Sequence, residues 1–209
     1  MTARRAFVAV ELPGTALDEL LEVGRRVRAA RPAWEHDKWA ARDTLHVTLK
    51  FLGDVEEVRL DDLTAALTAR VATTAPYSFS LDRLRAVPNR ARARMLWAVP
   101  AEEPAGLTAI ARIVEHESVR LDMGPSDKAF MAHVTLVRAR SPRPIDAEGL
   151  ADAWSGGVPD TGSPSRDGGG HGKTADRNVS GSAVTVFTST LTPTGPIHEV
   201  WSRVMLSGV

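Results

Sequence analysis

Hydrophobic and polar residues follow two alternating periods along this chain. Six stretches alternate as strands do: "RAFVAVEL", "TLHVTLKFL", "YSFSLDRLRAV", "ARMLWAV", "AVTVFTSTLT" and "IHEVWSRVML". Between them, apolar residues have helical spacing over residues 15–31, over 60–71, from about 104, and in "PIDAEGLADAW". The turn "PNRAR" joins the third and fourth of these strands. This order predicts an α+β fold that is bilobal, with two pseudo-symmetric lobes, each with an antiparallel sheet and flanking helices around a central cleft.

The tetrapeptide His-Val-Thr-Leu occurs twice, at residues 46–49 and 133–136. Because side chains alternate along a strand, His46 shares a face with Thr48, and His133 shares one with Thr135. The valine and leucine of each copy point the opposite way, into apolar packing. A pseudo-two-fold relation between the lobes would bring the two polar faces together, so we predict one shared site.

Two imidazoles and two hydroxyls suit in-line displacement at phosphorus. A neutral imidazole accepts a proton from water while a protonated one donates to the leaving oxygen, and hydroxyls hydrogen-bond the non-bridging oxygens. A metal site is the alternative, but it needs at least three ligands, and the repeat has threonines where carboxylates are expected. The chain has no G-x-S-x-G elbow of a serine hydrolase. We therefore expect neither a metal nor another cofactor.

Composition limits the compartment and the partners. With 209 residues, 43% hydrophobic and 25% charged, the chain is an ordinary globular one and we expect a single domain over 1–209. Lys and Arg number 26, as do Asp and Glu, so contact with RNA should be local. The absence of cysteine favours a cytoplasmic protein, and no apolar run is long enough to suggest membrane contact. We also expect a monomer.

Residues 155–182 hold half of the 16 glycines and almost no large apolar side chain. Such a segment buries too little surface to offset its ordering entropy, which predicts a flexible Gly-rich insertion. A tolerated surface loop is the simpler interpretation. A lid over the site, with His171 as its candidate functional residue, is the alternative.

Several stretches resemble one known family: "AFVAVELP", "LHVTLKFLG", "VPNRARARMLW", "HVTLVR" and "STLTPTGP". The chain resembles the RNA 2′,3′-cyclic phosphodiesterases, long called 2′-5′ RNA ligases, of the 2H phosphoesterase superfamily, whose signature is two His-x-Thr/Ser-x elements. The resemblance implies metal-independent hydrolysis of RNA 2′,3′-cyclic phosphate ends, or of small cyclic nucleotides, to 2′-phosphates, with reversible 2′-5′ ligation. It also implies that His46 is the acid beside the 3′ oxygen and His133 the base facing water. A non-catalytic module that binds RNA ends or small phosphorylated nucleotides remains the alternative.

Other candidates come from this resemblance and from strand parity. The family motif continues to an arginine that contacts phosphate, which implies this role for Arg138, although on a regular strand it shares a face with Leu136 and reaches the cleft only if the strand bends. Lys50 has the parity of His46 and is either a cleft residue or a solvated strand end. Two departures from the family are Ala132, where proline is frequent, and His198, where tyrosine is common.

Aromatic and basic side chains supply the remaining candidates for RNA contact. Trp39 and Phe130 are possible base-stacking residues, with core packing as the alternative for each. A basic run is expected mainly to be solvated, although it has the charge to contact an RNA backbone: Arg83, Arg85, Arg90, Arg92 and Arg94.

Overall fold

The computed structural model describes residues 2–156, 177–193 and 195–208. The helices are α1 (Gly14–Ala30), α2 (Glu57–Val71), α3 (Ala105–Arg120) and α4 (Ala147–Ser155). The strands are β1 (Ala3–Glu11), β2 (Lys38–Trp39), β3 (His46–Glu56), β4 (Tyr77–Ser80), β5 (Arg83–Val87), β6 (Ala93–Val99), β7 (Val134–Arg143), β8 (Asn178–Gly181), β9 (Ala183–Thr192) and β10 (Gly195–Met205). None of the helices in these ranges is long and apolar enough to cross a membrane.

An antiparallel sheet runs through both lobes in the order β10-β9-β1-β3-β7-β6-β5, with β2 beside β7. Its two halves meet where β3 pairs with β7, in a register that matches Val47 with Val134. Helices α2 and α3 pack on the half that contains β3, whereas α1 and α4 pack on the half that contains β7. The predicted bilobal α+β fold is confirmed, and the lobes exchange helices, because α1 precedes β3 in the chain but packs on the other lobe.

The main core lies between the sheet and its helices. The predicted apolar stripe of α2 is fully buried there: Leu60, Leu63, Leu67 and Val71. In β1, alternate residues such as Val8 and Val10 join this core, while Phe7 and Ala9 form a separate small cluster with Phe187. The second cluster lies on the opposite sheet face, which is the face that carries the histidine repeat.

The stretch "YSFSLDRLRAV" is not the single strand that alternation predicts. The chain turns at Leu81 and Asp82, where the Asp82 carboxylate accepts a hydrogen bond from the backbone of Ala101 at 2.8 Å. As a result β5 pairs with β6 in the large sheet, whereas β4 pairs with β8 in a separate two-stranded sheet.

Both ends of the segment 155–182, which the sequence predicts as a flexible insertion, belong to regular elements. Ser155 closes α4, and β8 pairs with β4 through Val179, whose side chain is fully buried. Arg177 forms an ion pair with Glu19 at 2.7 Å and stacks over the Trp154 ring. The remaining part, residues 157–176 with His171, lies outside the described residues.

Candidate active site

The two polar pairs of the repeat adjoin where the lobes meet. Val47 and Val134 are cross-strand partners, and each directly follows its histidine. In an antiparallel contact this register sets His46 across from Thr135 and Thr48 across from His133. The structure therefore brings the four residues of the duplicated motif together around the point that relates the two lobes.

Each histidine is held by the backbone two residues before it. His133 Nδ1 lies 2.8 Å from the carbonyl oxygen of Met131, and His46 hydrogen-bonds the backbone of Thr44. A ring whose Nδ1–H donates to a carbonyl keeps Nε2 as its reactive nitrogen. His46 Nε2 lies 3.0 Å from Thr48 Oγ1, so imidazole and hydroxyl converge on the same position.

A bulge in β7 brings Arg138 into the cleft. The β6 register passes from Leu96 opposite Val137 to Trp97 opposite Thr135, which leaves Leu136 as an extra residue. An extra residue reverses the alternation beyond it, so Arg138 rejoins the face of Thr135. Arg138 influences the pKa of both His46 and His133 and therefore lies within electrostatic reach of both rings.

The same irregularity in β3 sends Lys50 away from the cleft. The β1 register passes from Val8 opposite Lys50 to Ala9 opposite Thr48, so Leu49 is the extra residue. Lys50 is 3% exposed, and its ammonium donates to Glu115 at 2.9 Å and to the carbonyl of Gly124 at 2.7 Å. Both predicted roles of Lys50 are wrong, because parity counted along a regular strand ignores the bulge.

An aromatic ring from the adjacent strand stacks on each histidine. Trp97 of β6 lies 3.8 Å from His133 between ring centroids, and Phe7 of β1 lies 4.8 Å from His46. The sequence alone did not identify Phe7 or Trp97 as site residues, although alternation along β1 and β6 is compatible with both side chains lying on the histidine face. The missing information is which strands are neighbours, since β1 and β3 are separated in the chain by a helix that packs on the other lobe.

Burial keeps both histidines neutral near pH 7 in the free protein. It lowers the pKa of His46 to about 4, with added repulsion from His198, and it is the main cause that lowers the pKa of His133. An anion bound between the rings acts in the opposite direction, because it stabilises the protonated forms. The site is therefore arranged to gain a proton together with a phosphate.

His198 is a third imidazole beside the repeat. Its ring stands edge-on to His46 at 5.5 Å between centroids and to Phe7 at 4.9 Å. Burial lowers its pKa, and Asp43 opposes this effect. From the sequence, His198 is known only as a histidine where the family commonly has tyrosine. The strand order β10-β9-β1-β3 is what brings it next to His46.

Trp39 and Phe130 are partly buried and pack against the main core. Trp39 pairs with Val137 on the helix side of the sheet, its ring lies against Gly24 of α1, and its Nε1 donates to the carbonyl of Trp34 at 2.8 Å. Phe130 packs against the main core. The structure thus gives Trp39 the packing role that was the alternative to base stacking, whereas base stacking by the half-buried Phe130 stays a prediction.

The basic run is split by the sheet. Arg85 is the cross-strand partner of Trp97 and contributes to lowering the pKa of His133, so it lies beside the site. The arginines of β6 and of the turn before it are exposed, as expected for a solvated hairpin: Arg90, Arg92 and Arg94.

The part of the chain that the structure describes holds no preformed metal site. Within residues 2–156, 177–193 and 195–208 no group of three or more His, Asp or Glu side chains is arranged to hold a metal ion.

One concavity of about 340 Å³ lies between α2 and α3, where Arg70, Arg120 and His116 all pair with Glu117. None of the residues that line it belongs to the histidine repeat, and its charged side chains pair with Glu117. A second cavity is lined by His46 itself.

Comparison with known proteins finds related phosphoesterases. A family model described as LigT-like phosphoesterase matches residues 10–97. The RNA 2′,3′-cyclic phosphodiesterase of Thermus thermophilus is 33% identical over 147 residues, which span 67% of this chain and 71% of the relative. The enzyme of the same name from Methanothermobacter thermautotrophicus is 27% identical over 142 residues, or 68% of this chain and 74% of the relative.

Solved structures share the fold along nearly the whole chain. A protein from Thermus thermophilus superposes with a TM-score of 0.72 at 26% identity and covers 98% of both chains. Escherichia coli LigT in its apo form superposes with a TM-score of 0.69 at 20% identity and covers 99% of both. LigT has also been crystallised with phosphate and with 3′-AMP.

Proposed function

Because the chain belongs to the LigT-like phosphoesterase family, we propose that it hydrolyses 2′,3′-cyclic phosphate ends of RNA to 2′-phosphates by acid–base catalysis with two histidines. The observation that carries the proposal is the Val47–Val134 register, which sets two His-x-Thr pairs face to face. A site of this composition is suited to activating water and protonating an alkoxide without further groups.

The proposed reaction is one in-line displacement. His133 Nε2 takes a proton as the water oxygen bonds to phosphorus, while the bond from phosphorus to the 3′ oxygen breaks and His46 donates a proton to that oxygen. The products are a 2′-phosphate and a 3′-hydroxyl. Thr48 and Thr135 donate hydrogen bonds to the non-bridging oxygens, and Arg138 supplies positive charge beside them.

The family resemblance assigns His46 as the acid, and this role requires bound substrate. In the free protein burial lowers the pKa of His46 to about 4, so that its ring is neutral near pH 7 and has no proton to donate from Nε2 to the leaving oxygen. The phosphate anion raises this value, and repulsion from His198 acts only while His198 is protonated. A 5′-hydroxyl that takes the place of water would yield a 2′-5′ linkage, which accounts for ligation with the same residues.

Hydrolysis of an RNA oligonucleotide that ends in a 2′,3′-cyclic phosphate is the direct test. We expect turnover in the presence of EDTA and a single product, the 2′-phosphate, because a ribose fixed between two rings exposes only one ester oxygen to the acid. Phosphorus NMR distinguishes the 2′- from the 3′-phosphate. Loss of activity in EDTA that a divalent ion restores, or a mixture of both phosphates, would contradict the mechanism.

The pH dependence follows from the two lowered pKa values. Catalysis needs one neutral and one protonated ring, and kcat/KM reports the free protein. We therefore expect a bell-shaped kcat/KM profile with its maximum between about pH 4 and 6.5, the latter being the ordinary histidine value. The profile of kcat should lie at higher pH, because bound phosphate raises both pKa values. A kcat/KM that still increases above pH 8 would exclude histidines with lowered pKa values as the titrating pair.

A further inference from the structure

A cavity of about 160 Å³ adjoins the proposed catalytic centre at the His46 end of the cleft. Its walls are largely apolar, with side chains such as Phe7, Leu12 and Leu17, and its rim includes Asp43 and His198. Pockets for drug-sized ligands measure about 300–1,000 Å³, so this cavity fits one planar ring system and little more.

The polar groups on the cavity differ in how far they are already engaged. Glu11 accepts hydrogen bonds from Arg203 at 2.8 Å and 3.0 Å, and Arg42 pairs with Asp18. Asp43, in contrast, makes no hydrogen bond to any residue that the structure describes, and its carboxylate is exposed on the rim. It is the acceptor that remains available to a ligand.

His198 offers the complementary donor. Its Nδ1 is buried and has no hydrogen-bond partner among the described residues. A buried N–H without an acceptor costs more than a bare nitrogen, because the ring then has a polar hydrogen that nothing accepts. We therefore assign the proton of the neutral ring to Nε2, which makes that nitrogen a donor, and Asp43 is near enough to influence the pKa of the ring.

The direction of the proposed displacement decides which part of the substrate lies here. Water enters from the His133 side, so the leaving 3′ oxygen and the nucleoside that carries it lie on the His46 side. We propose that the cavity binds the base of the terminal nucleotide and that Asp43 and His198 select guanine, an inference that rests on the proposed function. Asp43 accepts from N1–H and the 2-amino group, and His198 Nε2–H donates to O6.

The other bases match this pair of groups less well. Adenine and cytosine present a single amino group to Asp43, and uracil places carbonyl oxygens on both sides of its one N–H, facing a carboxylate. A well-matched two-bond contact to one base discriminates strongly against the others. We expect kcat/KM for guanosine 2′,3′-cyclic phosphate to exceed that for the uridine compound by about tenfold or more.

The experiment compares four nucleoside 2′,3′-cyclic phosphates with the wild type, Asp43→Asn and His198→Phe. Asparagine places an amide that donates where the carboxylate accepts, so Asp43→Asn should reduce the guanine-to-uracil ratio of kcat/KM to within about threefold. The matched control is Asp62→Asn, an exposed aspartate on α2 outside the cavity, which should keep the wild-type ratio. Equal kcat/KM for all four bases, or an unchanged ratio in Asp43→Asn, would overturn the proposal.

A binding measurement separates this inference from the proposed reaction. Calorimetry with the His133→Ala protein should show tighter binding of guanosine 2′-phosphate than of uridine 2′-phosphate, and the difference should shrink when Asp43→Asn is added. If no cyclic phosphate is hydrolysed by the wild type, the proposed function fails, while base-dependent binding still supports the cavity assignment. Binding of both nucleotides with equal affinity overturns the assignment whatever the activity.

Discussion

We expect His46→Ala and His133→Ala each to lower kcat for cyclic phosphate hydrolysis by about 10³- to 10⁴-fold, the upper range for loss of one proton-transfer group. Each substitution removes one partner of a concerted transfer, and the remaining ring cannot be acid and base at once. The double variant should be little slower than either single one, because groups that act as a unit give losses that are far from additive. Steady-state kinetics under saturating substrate measures all three.

The control for these variants is His36→Ala, which removes an exposed imidazole before β2. It should retain wild-type kcat. Circular dichroism and thermal unfolding of every variant check that the fold persists, since Phe7 and Trp97 lose their stacking partners when the histidines are removed. Near wild-type turnover in either single variant would remove the two-histidine mechanism, and fully multiplicative losses would mean that the rings act in separate steps.

The duplicated motif made the centre of the site predictable from the sequence. Alternation assigns His46 and Thr48 to one strand face, and repetition indicates that His133 and Thr135 share the site with them. The fold class followed from the same periodicity, because hydrophobic patterns report which side of an element is buried. In the structure the two copies of the motif meet at Val47 and Val134, each of which directly follows its histidine.

Features that depend on neighbouring strands were not predictable. A bulge is a mismatch between two paired strands, so neither Arg138 nor Lys50 could be assigned a face from its own strand. The stacking of Trp97 on His133 and the position of His198 depend on strand order, which pairs segments far apart in the chain. The packing of α1 on the other lobe has the same cause, because local periodicity does not determine which half of the sheet a helix covers.

Breaking the buried ion pair behind the β3 bulge should have an effect on stability that depends on which of its two charges is removed. Lys50 has a side chain that is 1% exposed, whereas that of Glu115 is 36% exposed. Removing Glu115 leaves a buried ammonium with the Gly124 carbonyl as its one remaining partner among the described residues, whereas removing the ammonium leaves a carboxylate that water can still reach. We expect Glu115→Ala to lower the free energy of unfolding by about 2–3 kcal/mol, below the ~3–5 kcal/mol of a fully buried pair.

The opposite substitution is the matched comparison. Lys50→Met keeps a long unbranched side chain and removes the charge, so it should change the free energy of unfolding by less than about 1 kcal/mol. The double variant Lys50→Met/Glu115→Ala should be more stable than Glu115→Ala alone, because no unpaired charge remains. Urea unfolding with an unchanged m-value measures each difference. Ser126→Ala measures the separate loss of its hydroxyl contact with Glu115.

The pH dependence of this contribution has a defined sign. Hydrogen bonds from Ser126 and Lys50 lower the pKa of Glu115 below 4.5, although burial opposes the shift. A carboxyl whose pKa is lower in the folded state contributes stability above its unfolded pKa, and this is lost as the pH falls through the folded value. The free energy of unfolding of the wild type should therefore decrease relative to that of Lys50→Met/Glu115→Ala as the pH falls below about 4.5. If Lys50→Met destabilises the protein as much as Glu115→Ala at pH 7, the ammonium and its hydrogen bonds contribute net stability, and the expected difference between the two charges is wrong.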